Sequence, residues 1–292
     1  MLIVFTLKKR LKSLLRLLVC RNDFSHCYRE KTTKVVTTVY GYRYMIVALL
    51  GDIHANLPAL EAVLDHANTH GAEQFWNTGD FLGYGAFPNE IFDCLQKISA
   101  KSVLGNYDYK VLNFQQKQNK WKKNKHPDKY LAFQWANRQL STENEKALRA
   151  LPINLRFEVE GIEVLMVHGS PESIDELISN DTPLQRLEYL AKISNADMIV
   201  CGHSHQPFVR QVEGVWFINP GSVGRPDDGD PRAAYALLDI SQGRVEIQHF
   251  RIAYDIERAV KAIRKAGLPE VFAQMIQQGY DLETLESISG CE

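Results

Sequence analysis

Five short segments carry the residue types that bind metal ions: Asp52-Ile53-His54, Gly79-Asp80, Gly105-Asn106, His168-Gly169 and Gly202-His203-Ser204-His205. Each stands at the end of an apolar run. Together they supply Asp52, His54, Asp80, Asn106, His168, His203 and His205, a set of carboxylate, amide and imidazole donors. That set is large enough for two divalent transition metals side by side. Two cations about 3.5–4 Å apart can clamp a phosphoryl group and generate hydroxide from water, so the indicated chemistry is phosphoester hydrolysis. With no thiolate among the donors, the set suits Mn, Fe, Ni or Zn rather than a cysteine-rich structural zinc, and Mn²⁺ is the favoured ion. Taken singly the motifs are weak. Gly-His-Ser-His is more specific, because two histidines at i, i+2 in a tight loop can face different metals, and the strong signal is all five in this order.

The elements that must hold these residues follow from the apolar pattern. Ile46–Leu50, Phe75–Trp76, Ser102–Leu104, Val164–Val167 and Met198–Cys201 are short, continuously apolar runs, each followed by a turn signal, as in strands buried on both faces. Every motif lies at the carboxyl end of such a run, where ligands gather in open α/β sheets. Helices are expected between them. Pro58 opens one with Leu60, Val63, Leu64 and Ala67 on one face and Gly71 as its stop, and Pro88 opens another with Ile91, Phe92, Leu95 and Ile98. Val215–Ile218, Ala234–Leu238 and Val245–His249 follow one another through short loops and read as an antiparallel or mixed edge. Tyr254–Gly267 and Leu268–Gln278 read as two closing helices. Residues 107–150 carry no strand signal but many lysines, and read as a helical insertion beside the site.

At 292 residues and a formal net charge of -1, the chain has no global field pointing to nucleic acid or membrane. The balance is uneven, since residues 1–44 hold ten Lys/Arg against Asp23 and Glu30, a net of +8. This basic stretch reads as an extension, unstructured or an over-long start, ahead of a domain spanning 45–292; a membrane-surface helix is the competing reading. It lacks the apolar core and small-residue cleavage site of a secretory signal. No apolar stretch reaches the roughly 18 residues of a transmembrane helix. Five cysteines, an odd number without tight spacing, fit a reducing compartment, and a cytoplasmic location is expected.

From Met45 to about Tyr254 the order of motifs resembles the calcineurin-like metallophosphoesterase superfamily. Gly-Asp-Ile-His-Ala-Asn at 51–56, Asn-Pro-Gly-Ser-Val-Gly at 219–224 and Pro-Arg-Ala-Ala-Tyr-Ala-Leu-Leu-Asp at 231–239 resemble its small bacterial and archaeal phosphodiesterase-like branch. The resemblance implies an α/β fold, a four-layer α-β-β-α sandwich of two mixed sheets flanked by helices. It implies that Asp52, His54 and His205 hold one metal, that Asn106, His168 and His203 hold the other, that Asp80 bridges them, and that a metal-bridging hydroxide is the nucleophile. One departure stands out. Much of the superfamily has His after the Gly-Asn pair, whereas this chain has Gly105-Asn106-Tyr107-Asp108. Tyrosine titrates near 10 and is a poor general acid at neutral pH. Tyr107 can still donate a hydrogen bond to phosphate, and Asp108 can order a neighbouring histidine. Asn106, Tyr107, Asp108 and His168 are thus the candidates for direct work on the phosphoester.

Several residues carry two readings. Asn56 either reaches the site or caps the following helix. Tyr84 either lines a substrate pocket or fills a loop. Arg225 and Arg232 either grip phosphate or pair with Asp227, Asp228 and Asp230. Cys201 reads as a core residue, and His66, His70, His126 and His249 as surface or structural groups. The expected activity is a metal-dependent phosphodiesterase acting on a small phosphoester or nucleotide; the alternatives are a phosphomonoesterase on the same metals and a binding scaffold without catalysis. A nucleic acid chain, attracted by the lysines at 110–129, is open but not favoured.

Overall fold

In the computed structural model, which describes residues 45–241 and 244–289, the first strand shows how the layers are built. Along β1 (Met45–Leu50), Val47 and Leu49 enter one core, while Ala48 and Leu50 enter another on the opposite face. A strand alternates sides at every residue, so an unbroken apolar run is the pattern of one covered on both faces. The basic segment 1–44 and the Gln242-Gly243 turn lie outside the described residues.

The first sheet has the order β10-β9-β1-β2-β3, from β2 (Gln74–Asn77), β3 (Lys101–Ser102), β9 (Ala233–Ser241) and β10 (Arg244–Ile252). β1 runs parallel to β2 and antiparallel to β9. The second has the order β4-β5-β6-β8-β7, from β4 (Asn154–Val159), β5 (Ile162–Val167), β6 (Met198–Val200), β7 (Phe208–Val212) and β8 (Val215–Asn219). Between the sheets, Val47, Leu49 and Trp76 meet Val164, Met166, Met198 and Val200. On the outer side of the first sheet lie α1 (Leu57–Thr69) and α2 (Pro88–Lys97), which bury Leu60, Val63, Ile91 and Phe92 against Ala48 and Leu50. On the outer side of the second lies α7 (Leu184–Ser194), which buries Leu187 and Leu190 against Leu165, Ile199 and Phe217. This is the expected four-layer arrangement.

Residues 106–149 form four helices, α3 (Asn106–Leu112), α4 (Phe114–Asn124), α5 (Pro127–Gln139) and α6 (Thr142–Arg149). The chain closes with α8 (Ile256–Lys265), α9 (Glu270–Gln278) and α10 (Leu282–Ser289). A further apolar cluster joins Ala259, Ile263 and Phe272 of the closing helices to Tyr84 and Ala132, so these helices back the loops of the site.

The pattern at the chain's later strands differs from expectation. Val215–Asn219 does not share an edge with β9 and β10; it pairs parallel with β6 and antiparallel with β7 in the second sheet. Strands β4 and β7 and helices α7 and α10 were not anticipated. β4 alternates Asn154, Arg156 and Glu158 with half-buried Leu155 and Phe157 at a sheet edge, so it lacks the continuous apolar run of the inner strands.

Candidate metal centre

The motifs converge where the two sheets end. Asp52 and His54 follow β1, Asp80 follows β2, Asn106 opens α3 just beyond β3, His168 follows β5, and His203 and His205 follow β6. The loops that carry them are bent into left-handed backbone at Asp52 (φ 52°), His54 (φ 48°), Asp80 (φ 55°), His203 (φ 66°) and His205 (φ 55°). Non-glycine residues rarely adopt this region, at a cost of about 1–3 kcal/mol each, and it gathers at functional sites. The strain is held by bonds between strand ends, such as Ile53 N to Asp80 O at 2.9 Å and Gly202 N to His168 O at 2.8 Å. Gly105 is required by close approach, because a Cβ there would fall 2.1 Å from both Asp80 N and Asp80 Oδ1.

Two compact donor groups result, Asp52–His54–His205 and Asp52–Asp80–His168, each with its ligand atoms within 4.8 Å of one another. All five residues are buried. Asp80 turns Oδ2 toward His54 Nε2 at 3.7 Å and Oδ1 toward His168 Nε2 at 3.5 Å, one oxygen to each side. His54, His168 and His205 donate from Nδ1 to the carbonyls of Leu82 (3.0 Å), Thr78 (2.9 Å) and Arg225 (2.8 Å). Each bond fixes the tautomer and turns the Nε2 lone pair inward, as ligating histidines require. The Nε2 atoms of His54 and His205 then face one another at 3.2 Å.

His203 lies outside both compact groups. Its ring is 4.9 Å from that of His168, and its Nε2 donates to the Asp175 carbonyl at 3.2 Å, while Nδ1 has no hydrogen bond among the described residues. Asn106 donates from Nδ2 to Asp175 Oδ1 at 2.8 Å, so its carbonyl oxygen is the free end of the amide. Asn106 Oδ1 and His168 Nε2 are both buried without a hydrogen-bond partner among the described residues. Buried lone pairs are rarely left bare, and a divalent cation is a partner that satisfies both. The donors therefore fit a metal centre on this chain's own geometry.

Charge favours ligation at Asp52, His54 and His203 and opposes it at Asp80 and His205. Burial opposes ionisation of Asp52, yet His205 and the other histidines hold its carboxyl well below the usual range. Burial pushes Asp80 up. Burial, then the positive charge of Arg225, holds His54 well below an ordinary histidine, and burial takes His203 down to about 4. Burial and Arg225 also oppose a charge on His205, but Asp52 and Asp227 outweigh them and raise it to about 9. A cation bound at His205 would have to displace that proton, which would make its uptake pH-dependent.

Asp108 does not order a histidine, contrary to the sequence-based expectation. Its carboxylate accepts from Leu82 N at 3.0 Å and Gly105 N at 2.9 Å, pinning the Asp80 loop to the Asn106 loop. Burial, then the charge of Asp80, raises it to about 7. Tyr107 donates its backbone N–H to Asp80 Oδ1 at 2.8 Å, and its hydroxyl is hydrogen-bonded to that of Tyr84. Burial pushes the Tyr107 phenol well above 10. Of the two readings of Asn56 the cap is the one seen: Oδ1 caps α1, while Nδ2 donates to Gly224 O at 2.8 Å. Cys201 is a core residue. Of the lysines, Lys110 reaches the site, 3.4 Å from Asp175 and over the Tyr107 ring, whereas Lys117 packs over Tyr109 and Lys129 pairs with Glu283. Asp175 is the residue sequence reading missed. It lies in a loop without periodicity, and the one available signal was its place seven residues past His168.

The profile of the calcineurin-like phosphoesterase superfamily domain matches residues 45–243. An uncharacterized protein of Methanocaldococcus jannaschii is 34% identical over 254 residues, covering 80% of this chain and 98% of that protein. The phosphodiesterase YfcE of Escherichia coli is 25% identical over 211 residues, 67% of this chain and 88% of its own length. The crystal structure of a metallophosphoesterase from Sphaerobacter thermophilus superposes with a TM-score of 0.66 at 29% identity, covering 81% of this chain and 100% of the other.

Proposed function

Because the chain belongs to the calcineurin-like phosphoesterase superfamily, we propose that it is a phosphodiesterase working with two divalent cations, Mn²⁺ foremost, on a small phosphoester or nucleotide. The carrying observation is Asp80, which turns one carboxylate oxygen to His54 and the other to His168. Asp52, His54 and His205 would hold one cation, Asn106, His168 and His203 the other, with Asp80 between them. When bound, such a pair supplies Lewis acidity toward phosphoryl oxygens and a hydroxide nucleophile at neutral pH.

The chain's own residues set the stage for that chemistry. The carbonyls of Leu82, Thr78 and Arg225 orient three imidazoles by bonds within the protein itself, which limits the reorganisation left to be done. Asp108 keeps the Asn106 and Asp80 loops in register. Tyr107 holds its proton at neutral pH and acts as a hydrogen-bond donor rather than a titrating acid. Esters with good leaving groups should therefore be the better substrates.

The test is hydrolysis of a bis-aryl phosphodiester against the corresponding aryl monoester, by metal-stripped protein reloaded with Mn²⁺. Metal-dependent turnover favouring the diester is expected. Preference for the monoester would replace the reading with a phosphatase, and full activity of stripped protein would end it.

A further inference from the structure

Two arginines flank the loop after β8, and the structure builds them differently. Arg232 is half exposed and locked onto Asp230, with Nε at 2.9 Å and Nη2 at 2.6 Å from its carboxylate. Arg225 is fixed at its backbone, where its N–H donates to Ser222 Oγ at 2.9 Å and its carbonyl accepts from His205 Nδ1 at 2.8 Å. Its side chain is only 11% exposed. Nη2 lies 3.0 Å from His205 Nδ1 and 3.5 Å from Nε2. Since Nδ1 already spends its proton on the Arg225 carbonyl, the guanidinium rests against the imidazole rather than bonding to its edge. The guanidinium carbon is also 4.8 Å from the Tyr84 ring centroid. Nε is buried with no partner among the described residues. The carboxylate it pairs with, Asp227, stands at 3.7 Å and is shared with His205 at 3.3 Å.

A guanidinium has five N–H donors, and leaving them unmade in a buried place is costly. Two rings hold this one in position without satisfying it. Beside it, the hydroxyls of Tyr84 and Tyr107 bond to each other. Two hydroxyls carry two protons and that bond uses one, so one O–H remains to give. Both tyrosine rings stand edge-on to His54, at 5.4 and 5.1 Å between centroids. The Arg225 Nε–H, without a partner among the described residues, and one tyrosine O–H thus stand on the His54–His205 side of the centre.

We propose that Arg225 is the anchor for an anionic oxygen of the substrate's phosphate, with the Tyr84–Tyr107 hydroxyl pair as the neighbouring donor. The proposal rests on the phosphoesterase reading and assigns that site a phosphate-gripping side that the metal ligands do not supply. The planar fork of arginine matches phosphate in a way lysine does not.

The test is calorimetric binding of inorganic phosphate to the Mn²⁺-loaded full chain, with manganese content and thermal midpoint measured alongside. Arg225→Met should weaken phosphate roughly ten- to hundred-fold, the worth of a lost charge-assisted hydrogen bond, while manganese content is unchanged. Arg225→Lys should fall between wild type and Arg225→Met, and it carries the test if the methionine variant does not fold. Arg232→Met, in the same loop, should bind phosphate as wild type does. Unchanged phosphate affinity in both Arg225 variants would overturn the proposal. So would loss of manganese in step with phosphate, which would make Arg225 a support for His205 alone. Wild-type protein that binds manganese and phosphate but hydrolyses no ester would remove the phosphodiesterase reading and leave the anion site standing.

Discussion

Asp175 Oδ1 accepts a hydrogen bond from Asn106 Nδ2 at 2.8 Å, and this contact decides which end of the amide faces the site. The backbone carbonyl of the same residue receives His203 Nε2. One loop residue therefore orients two of the three donors assigned to the second cation. Asp175→Ala keeps the carbonyl but frees the amide. It should weaken the second equivalent of Mn²⁺ about ten- to hundred-fold, the usual effect of removing an outer hydrogen-bond partner, and leave the first alone. Asp175→Asn, which keeps an acceptor oxygen, should do less. Two-site calorimetry decides; equal weakening of both equivalents would contradict the assignment.

Asp80→Asn separates function from stability. The carboxylate stands between the two donor groups, so its loss should lower kcat/KM at least about a hundredfold, or about 3 kcal/mol. Burial raises the Asp80 carboxyl, which means its charge disfavours the folded metal-free protein at neutral pH. The metal-free variant should thus melt no lower than metal-free wild type. A clear drop in that midpoint would show that Asp80 is structural.

Gly105→Ala tests the close approach of two loops. The new Cβ would collide with the Asp80 carboxylate and with its backbone, which cannot rotate away. About 1–3 kcal/mol of stability should be lost, together with tight metal binding, as read by denaturant unfolding and metal analysis. A variant with wild-type stability and metal content would mean that the loops are looser than this packing.

A pH effect should come from His249. It donates from Nε2 to Asn219 O at 2.7 Å, just before the loop that leads to Arg225. Burial lowers its pKa from 6.5. A histidine depressed in the folded state takes up its proton more readily when unfolded, so stability is present above about pH 6.5 and falls as the pH drops below it. His249→Gln should flatten the stability difference between pH 7 and 5. Identical pH profiles for the two proteins would reject this.

How far the sequence could be read depended on how each residue acts. The gathering of Asp52, His54, Asp80, His168 and His205 was legible because each follows a buried strand, and buried strands announce themselves as apolar runs. Layer order followed from the family resemblance alone. The signal for α7 was present in Pro183, Leu187, Leu190 and Ala191 at helical spacing. Edge strand β4 was hidden by its charged alternate positions. Arg225 was visible as a cation, but its burial and its neighbours arise from contacts across distant segments. Asp175 and Asp108 act only through hydrogen bonds that exist once the loops have met, and no local pattern encodes those.

The donors also divide between the two sheets. Asp52, His54, Asp80 and Asn106 follow strands of the first, and His168, His203 and His205 follow strands of the second. His54 and His205 face one another across 151 residues of chain. A cation held by both would be a cross-link, and the chain-entropy argument used for disulfides values closure of so long a loop on the order of 5 kcal/mol. In a protein whose described cysteines, Cys94 and Cys201, are unbridged, the clasp that ties one half of the sandwich to the other would be one that a chelator could open.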